Sequence, residues 1–173
     1  LQLKLINKNV SFKNIRGNVD TRVKKVLKGD FDGAIVAHAG LKILKLDKHV
    51  TEIFSKKKII PAAGQGVIAA QCRKKDLKLS KILKGINHHK TEICSKAEKS
   101  ILKSIGGDCH TALGALAVIK KNNIIIEAEL FSDDGKKSFR VKKKGKLNTS
   151  ISLGHKVGIK LLKLMGKKFK KKI

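Results

Sequence analysis

One cysteine and its surroundings suggest covalent chemistry. Cys109 follows Gly106-Gly107-Asp108 in a loop of small residues, just after a predicted helix that begins near Thr91. Small neighbours leave space beside the thiol, so a large group could lie against it or be bonded to it, and a thiolate is a good nucleophile. A lone cysteine is more often a small buried residue. That interpretation applies to Cys72 and Cys94, which we predict in a strand and a helix.

Two arginines indicate an anion site. Arg16 and Arg22 flank Gly17-Asn18, where a strand is predicted to lead into a helix. Such a loop exposes backbone N–H groups and the positive end of the helix, which favour an anion. A guanidinium binds a carboxylate at two points, which lysine cannot do. Only four of the 41 basic residues are arginines, so this pair is notable. The alternative is surface pairing with Asp20 or Asp30.

Other polar motifs carry weaker signals. Gly64-Gln65-Gly66 predicts a tight loop, and such loops are common. The adjacent histidines of Asn87-His88-His89 point in different directions, and no carboxylate or cysteine nearby completes a ligand set. We therefore interpret them as a capping loop and expect no metal site. His38 is predicted to be a hydrogen-bonded core residue inside a buried strand.

Length and composition limit the alternatives. With 173 residues, 41% of them hydrophobic, the chain can form one or two domains with a core. It has no 18-residue apolar run and no signal-peptide pattern, so we expect neither a membrane span nor secretion. Three cysteines without CxxC spacing favour a reducing cytoplasm. The chain does not begin with Met, and we expect it to be a fragment that lacks its N-terminal part.

The net charge of +28 raises the question of nucleic-acid binding. The lysines are spread over every segment, and aromatic residues for base stacking are only 3% of the chain. We interpret the lysine excess as solvated surface. The lysine-rich tail over 166–172 is predicted to be a frayed, solvated end.

The first half of the chain alternates predicted strands and helices, which indicates a parallel α/β sheet. The predicted strands cover 10–15, 33–39 and 67–72, and the predicted helices cover 19–27, 41–46 and 77–83. From Asn87 the pattern changes to a small α+β unit. A helix from Thr91 and another from Asn148 or Thr149 to Met165 enclose three antiparallel strands, at 113–119, 124–131 and 138–141.

Three segments together resemble the porphobilinogen deaminase (hydroxymethylbilane synthase) family. They are the run 98–114 around Cys109, the run 16–22 with both arginines, and Pro61-Ala62-Ala63-Gly64-Gln65-Gly66. The resemblance implies three domains, two of them periplasmic-binding-protein-like α/β domains and the third a small α+β domain. In this chain, 1–63 would be the later half of the second domain. Residues 64–86 would be the crossover and a return strand of the first domain, and 87–173 the third, cofactor-bearing domain.

The resemblance also implies the chemistry. A dipyrromethane cofactor would be bonded to Cys109, with Arg16 and Arg22 holding carboxylates of the cofactor and the growing chain. Gln65 and the backbone of Gly66 would approach the bound pyrroles. Four porphobilinogen units would be joined head to tail with loss of ammonia, and the tetrapyrrole released by hydrolysis. The family's acid–base aspartate belongs to the first domain, so we assign no catalytic residue here and expect the isolated fragment to be inactive.

The expected partners are porphobilinogen and the growing polypyrrole, in a cytoplasmic monomer without nucleic acid or membrane. The sequence departs from the family pattern at Ile43, Lys99, Asp108 and Ala112, where Arg, Arg, a small residue and Pro are usual. Two alternatives stay open. A basic nucleic-acid-binding fragment would explain neither the Arg16–Arg22 loop nor the Cys109 loop. A solute-binding or regulatory α/β domain would not explain the small α+β unit that carries Cys109.

Overall fold

The structure is a computed structural model that describes residues 1–166, so the prediction for the lysine tail lies largely outside the described residues. Contacts divide the chain into an N-terminal unit, Gln2–Lys58, and a C-terminal unit that begins at Ile59 and also includes Leu1. The predicted domain ranges 1–63, 64–86 and 87–173 stay predictions. In the described residues, no helix is both long and apolar enough to cross a membrane.

The N-terminal unit contains three short helices and a single 3₁₀ turn. The helices are α1 (Gln2–Ile6), α2 (Val19–Leu27) and α3 (His38–Ile43), and the 3₁₀ turn is Asp47–His49. The predicted helix over 19–27 is confirmed. Gly29 follows its C-cap residue, and its φ of 82° lets the amides of Gly29 and Asp30 bond back to the carbonyls of Val26 and Lys25.

The predicted strands of the first half are not formed. Residues 10–15, 33–37 and 67–72 lie outside helices and strands, and the described residues before 113 contain only an isolated bridge at Ala62. A strand needs a hydrogen-bonded neighbour, and the described residues supply none to these segments. Ile35 and Ile68 are accordingly 56% and 99% exposed. The described part therefore shows no parallel sheet, and His38 begins α3 instead of lying in a strand.

The C-terminal unit forms the predicted α+β arrangement. Strands β1 (Leu113–Lys120), β2 (Asn123–Phe131) and β3 (Ser138–Lys146) make an antiparallel sheet in the order β1-β2-β3. Helices α5 (His89–Ser104) and α6 (Ser150–Met165) pack against it, and α4 (Leu77–Gly85) precedes α5. Alternate strand residues share a core with both helices, including Ala97, Ile101, Ala115, Ile126, Val141, Val157 and Leu161.

Helices α5 and α6 approach closely through two glycines. A Cβ at Gly154 would collide with the carbonyl oxygen of Ala97, and one at Gly158 would lie 2.9 Å from the carbonyl oxygen of Ile101. Ser100 Oγ also donates to the carbonyl of Ile151 at 2.8 Å. These contacts fix the helix that leads into the Cys109 loop.

Several element boundaries differ from the prediction. The helix predicted over 41–46 was wrong in its bounds, since α3 covers His38–Ile43. Helix α5 begins at His89 with His88 in the N-cap position, so the predicted start near Thr91 is late by two residues. The Thr91 hydroxyl instead shares a 2.7 Å hydrogen bond with His88 Nδ1. Strand β3 runs to Lys146, beyond the predicted end at Val141, because it pairs with β2 along its whole length.

Candidate functional site

The arginine loop lies at the start of α2. Gly17 has a φ of 115°, and a Cβ there would come within 2.8 Å of Thr21 Cγ2, so the turn requires glycine. Arg22 Nε donates to the carbonyl of Gly17 at 2.8 Å, and Lys25 Nζ donates to the carbonyl of Arg16 at 3.3 Å. Side chains of the helix thus hold the backbone of the loop that precedes it.

The charges of this loop are not neutralised within the described residues. No carboxylate there lies within ion-pair distance of Arg16 or Arg22, so the alternative of pairing with Asp20 or Asp30 is not seen. Arg16 is exposed and Arg22 is half-buried. The side chain of Asn18 makes no capping hydrogen bond. Guanidinium and first-turn amide donors therefore share one end of α2, as an anion site needs.

The Cys109 loop begins where α5 ends. The amide of Gly106 bonds to the carbonyl of Lys103, and the amide of Gly107 bonds to that of Leu102, which is the Schellman arrangement at a helix C-terminus. Gly106 supplies the required positive φ of 65°. A Cβ at Gly107 would lie 2.7 Å from Thr111 Oγ1. Both glycines are thus needed for the chain to turn out of the helix just before the cysteine.

Asp108 organises the same loop. Its carboxylate accepts from the amide of His110 at 2.9 Å and from the hydroxyl of Thr111 at 3.3 Å, while its own amide donates to Thr111 Oγ1 at 2.8 Å. The hydrogen bond from the His110 amide is the main reason that the pKa of Asp108 is lowered. The sequence departure at this position thus builds a turn over residues 108–111, and Cys109, one of its two central residues, is exposed.

The Gln65 loop is attached to the start of β1. The amide of Ala115 donates to the carbonyl of Pro61 at 2.8 Å, and Ala62 forms an antiparallel bridge with Gly114. Gly64 and Gly66 have φ values of 76° and 82°, so both need glycine. Because the Cys109 loop leads into β1, the structure places both loops beside the start of one strand. Gln65 is exposed there.

Glu98 connects the Gln65 loop to α5 and β1, a contact that the sequence analysis missed. It lies in α5, is 6% exposed, and accepts hydrogen bonds from the amides of Gly64 and Ala117, each at 2.8 Å. Burial raises the pKa of this carboxyl, and the two amides partly offset the increase. The available signal was an acidic residue in the apolar helical pattern that contains Cys94 and Ile101.

The other two cysteines are less accessible. Cys72 and Cys94 are both half-buried, Cys72 outside any helix or strand instead of in the predicted strand and Cys94 in α5 as predicted. Burial is the main cause that raises the pKa of Cys94, followed by the charge of Glu98, and the sulfur accepts from the amide of Ile119. Burial and the Glu98 charge both disfavour the reactive thiolate of Cys94, and the Ile119 amide only partly offsets them.

The predicted site residues fall in both units. Arg16 and Arg22 lie in the N-terminal unit, whereas Gln65, Gly66 and Cys109 lie in the C-terminal unit. Within the described residues, no group of three or more His, Cys, Asp or Glu side chains is placed to hold a metal ion. The arrangement offers donors for carboxylates in one unit and an accessible thiol in the other.

Two models of one protein family match most of the chain. Residues 1–81 match the family model described as "Porphobilinogen deaminase, dipyromethane cofactor binding domain", and residues 92–163 match "Porphobilinogen deaminase, C-terminal domain". The chain belongs to the porphobilinogen deaminase family. Arg16, Arg22, Gln65 and Gly66 lie in the first matched region, and Cys109 lies in the second.

Individual members of the porphobilinogen deaminase family match over most of the chain. The enzyme of Coxiella burnetii (strain Dugway 5J108-111) is 36% identical over 165 residues, which are 95% of this chain and 54% of the relative. That of Desulforamulus reducens is 35% identical over 154 residues, 89% of this chain and 50% of the relative. That of Clostridium botulinum (strain Hall) is 40% identical over 121 residues, 70% of this chain and 41% of the relative. The chain thus spans about half the length of the curated relatives it matches.

Proposed function

We propose that this protein acts in tetrapyrrole synthesis, as the part of a hydroxymethylbilane synthase that carries its primer. The reaction joins four porphobilinogen units head to tail with loss of four ammonia molecules, and water releases the linear tetrapyrrole. The observation that carries the proposal is the exposed Cys109 in a glycine-built loop, inside a region that matches the family's C-terminal domain.

The residues present fit a dipyrromethane cofactor. When bonded to Cys109, that group supplies the pyrrole carbon to which the first porphobilinogen is joined. Cys109 is exposed, and the Asp108–Thr111 turn defines its position without covering it. A thiol that must form a thioether needs this access, which the half-buried Cys72 and Cys94 lack.

Arg16 and Arg22 would bind pyrrole carboxylates in this proposal. Arg22 uses Nε to hold Gly17, and its terminal nitrogens have no ion-pair partner in the described residues. They could bind a carboxylate in the two-point geometry typical of arginine. Gln65 and the backbone of Gly66 would contact the pyrroles from the loop beside β1, and no residue of this chain is assigned the acid–base step.

The wider predictions belong to the same proposal. The N-terminal unit would be part of a periplasmic-binding-protein-like domain, residues 64–86 would return to another such domain, and residues 87–173 would be the cofactor-bearing domain. The enzyme would be a cytoplasmic monomer whose partners are porphobilinogen and the growing polypyrrole. Three free cysteines support a reducing compartment.

A chimera tests this function. In it, the chain replaces the matching 165 residues of the Coxiella burnetii relative. We expect the chimera to consume porphobilinogen and release one ammonia per unit joined, whereas the isolated 173-residue chain, half the length of its relatives, should not. A Cys109→Ser chimera with the same circular dichroism spectrum is the matched control. A folded chimera that binds no pyrrole and forms no product would contradict the proposal.

A further inference from the structure

Glu98 joins three separate elements of the C-terminal unit. It lies in α5, its Oε2 accepts from the amide of Gly64, and its Oε1 accepts from the amide of Ala117 in β1. The partners lie 34 and 19 residues away in sequence, on opposite sides of Glu98. One carboxylate therefore connects the Gln65 loop, α5 and the sheet.

The strand that Glu98 contacts is at the edge of the sheet. On the side of β1 that faces away from β2, the amide of Ala115 bonds to Pro61, that of Ala117 to Glu98, and that of Ile119 to the sulfur of Cys94. These three bonds satisfy alternate amides of the edge. Of the three acceptor groups, only the Glu98 carboxylate also accepts from a residue of the Gly64–Gly66 turn.

The glycines at the tip of the Gln65 loop have open space where a side chain would be, whereas Ala63, just before them, packs against the core. A Cβ built at Gly64 or Gly66 would meet no atom within 4 Å. The amide of Gln65 bonds to Ala62 and that of Val67 bonds to Gly64, so both bonds are internal to the loop. Among the hydrogen bonds of residues 64–66 in the described structure, the one from the Gly64 amide to Glu98 connects the tip to the rest of the unit.

We propose that Glu98 is a positioning residue that fixes the Gly64-Gln65-Gly66 loop and thereby the direction of Gln65. The consequence for Gln65 rests on the proposed function, in which Gln65 contacts the pyrroles. The role requires a carboxylate, because it alone among side chains of this length offers two acceptor oxygens. In Glu98→Gln, the NH₂ group would face one of the two backbone amides, and because both groups are donors, that hydrogen bond would be lost.

Amide hydrogen exchange of the 173-residue chain tests the positioning. In Glu98→Gln, we expect the amide of Gly64, of Ala117 or of both to exchange at least about tenfold faster, with Ile126 in the central strand unchanged. Glu127→Gln is the matched control, since it removes the same charge from β2 and should leave Gly64 unchanged. Unchanged exchange at both Gly64 and Ala117 would overturn the proposal.

A measurement on the unaltered chain covers the case in which Glu98→Gln does not fold. The amide proton shifts of Gly64 and Ala117 should titrate together, with one midpoint above the ordinary pKa of glutamate, because burial raises the pKa of Glu98. The groove beside Glu98 is also lined by Lys90 and Cys94, whereas the strand and loop residues that line it are not titratable. Two unrelated midpoints, or no titration, would contradict a shared carboxylate.

A double-variant comparison in the chimera separates this inference from the proposed function. If Glu98 acts through Gln65, then Glu98→Gln, Gln65→Ala and the double variant should lower kcat by a similar factor. Additive losses would overturn the positioning role. A chimera that is inactive even without these changes, together with faster Gly64 exchange in Glu98→Gln, would refute the function and support the positioning.

Discussion

Arg22 donates through Nε to the carbonyl of Gly17, five residues earlier, at 2.8 Å. The bond crosses the turn that leads into α2, at a glycine whose φ of 115° few other residues adopt. One side chain thus shapes the loop and, through its terminal nitrogens, directs positive charge at the same place. Lysine has a single nitrogen and cannot do both.

We expect Arg22→Lys to weaken porphobilinogen binding to the chimera by about 1.5–3 kcal/mol, or roughly tenfold to a hundredfold. A two-point hydrogen bond becomes a point charge, and the Gly17 carbonyl loses its donor. Arg16→Lys should weaken binding only through loss of the two-point hydrogen bond. Calorimetry measures the effect, with the exposed Arg73→Lys as the matched control. Equal affinity of all three variants would refute the carboxylate site.

The sequence predicted the C-terminal unit well because its contacts are local. The turns over 120–123 and 132–135 connect neighbouring strands, and the predicted strands pair with their neighbours in sequence. The apolar run 33–39 failed as a strand because a strand depends on partners elsewhere, and the described residues provide none. Glu98 was missed for a related reason, since its bond to Gly64 spans 34 residues.

Helix packing in the C-terminal unit depends on Gly158. In Gly158→Ala, the new Cβ would lie 2.9 Å from the carbonyl oxygen of Ile101, so α6 must move away from α5. We expect a loss of about 1–3 kcal/mol in the free energy of unfolding. Gly85→Ala is the matched control, because nothing lies within 4 Å of a Cβ there. Urea unfolding checks the pair, and equal stability of both variants would contradict the close helix contact.

Glu92 should make the C-terminal unit sensitive to acid. The hydrogen bond from Lys96, with another from Asn87, lowers the pKa of Glu92 from 4.5 to about 2. The folded state therefore binds this proton less tightly than the unfolded state, so the contribution to stability is present above pH 4.5 and is lost as the pH falls through about 2. In Glu92→Gln, the urea concentration at the midpoint of unfolding should fall less steeply between roughly pH 5 and pH 2 than in the unaltered chain. Asp133→Asn, in an exposed turn, should not show this change.

Cys109 should be the one cysteine that carries the pyrrole adduct. Cys109 is exposed, whereas Cys94 is half-buried with its pKa raised by burial and Cys72 is half-buried. In the chimera, Cys109→Ser should lose the covalent mass and nearly all activity, because serine is a far weaker nucleophile at neutral pH. Cys72→Ala and Cys94→Ala should keep the adduct. Intact mass and peptide mapping check this, and an adduct mapped to Cys72 or Cys94, or an active enzyme with none, would overturn the assignment.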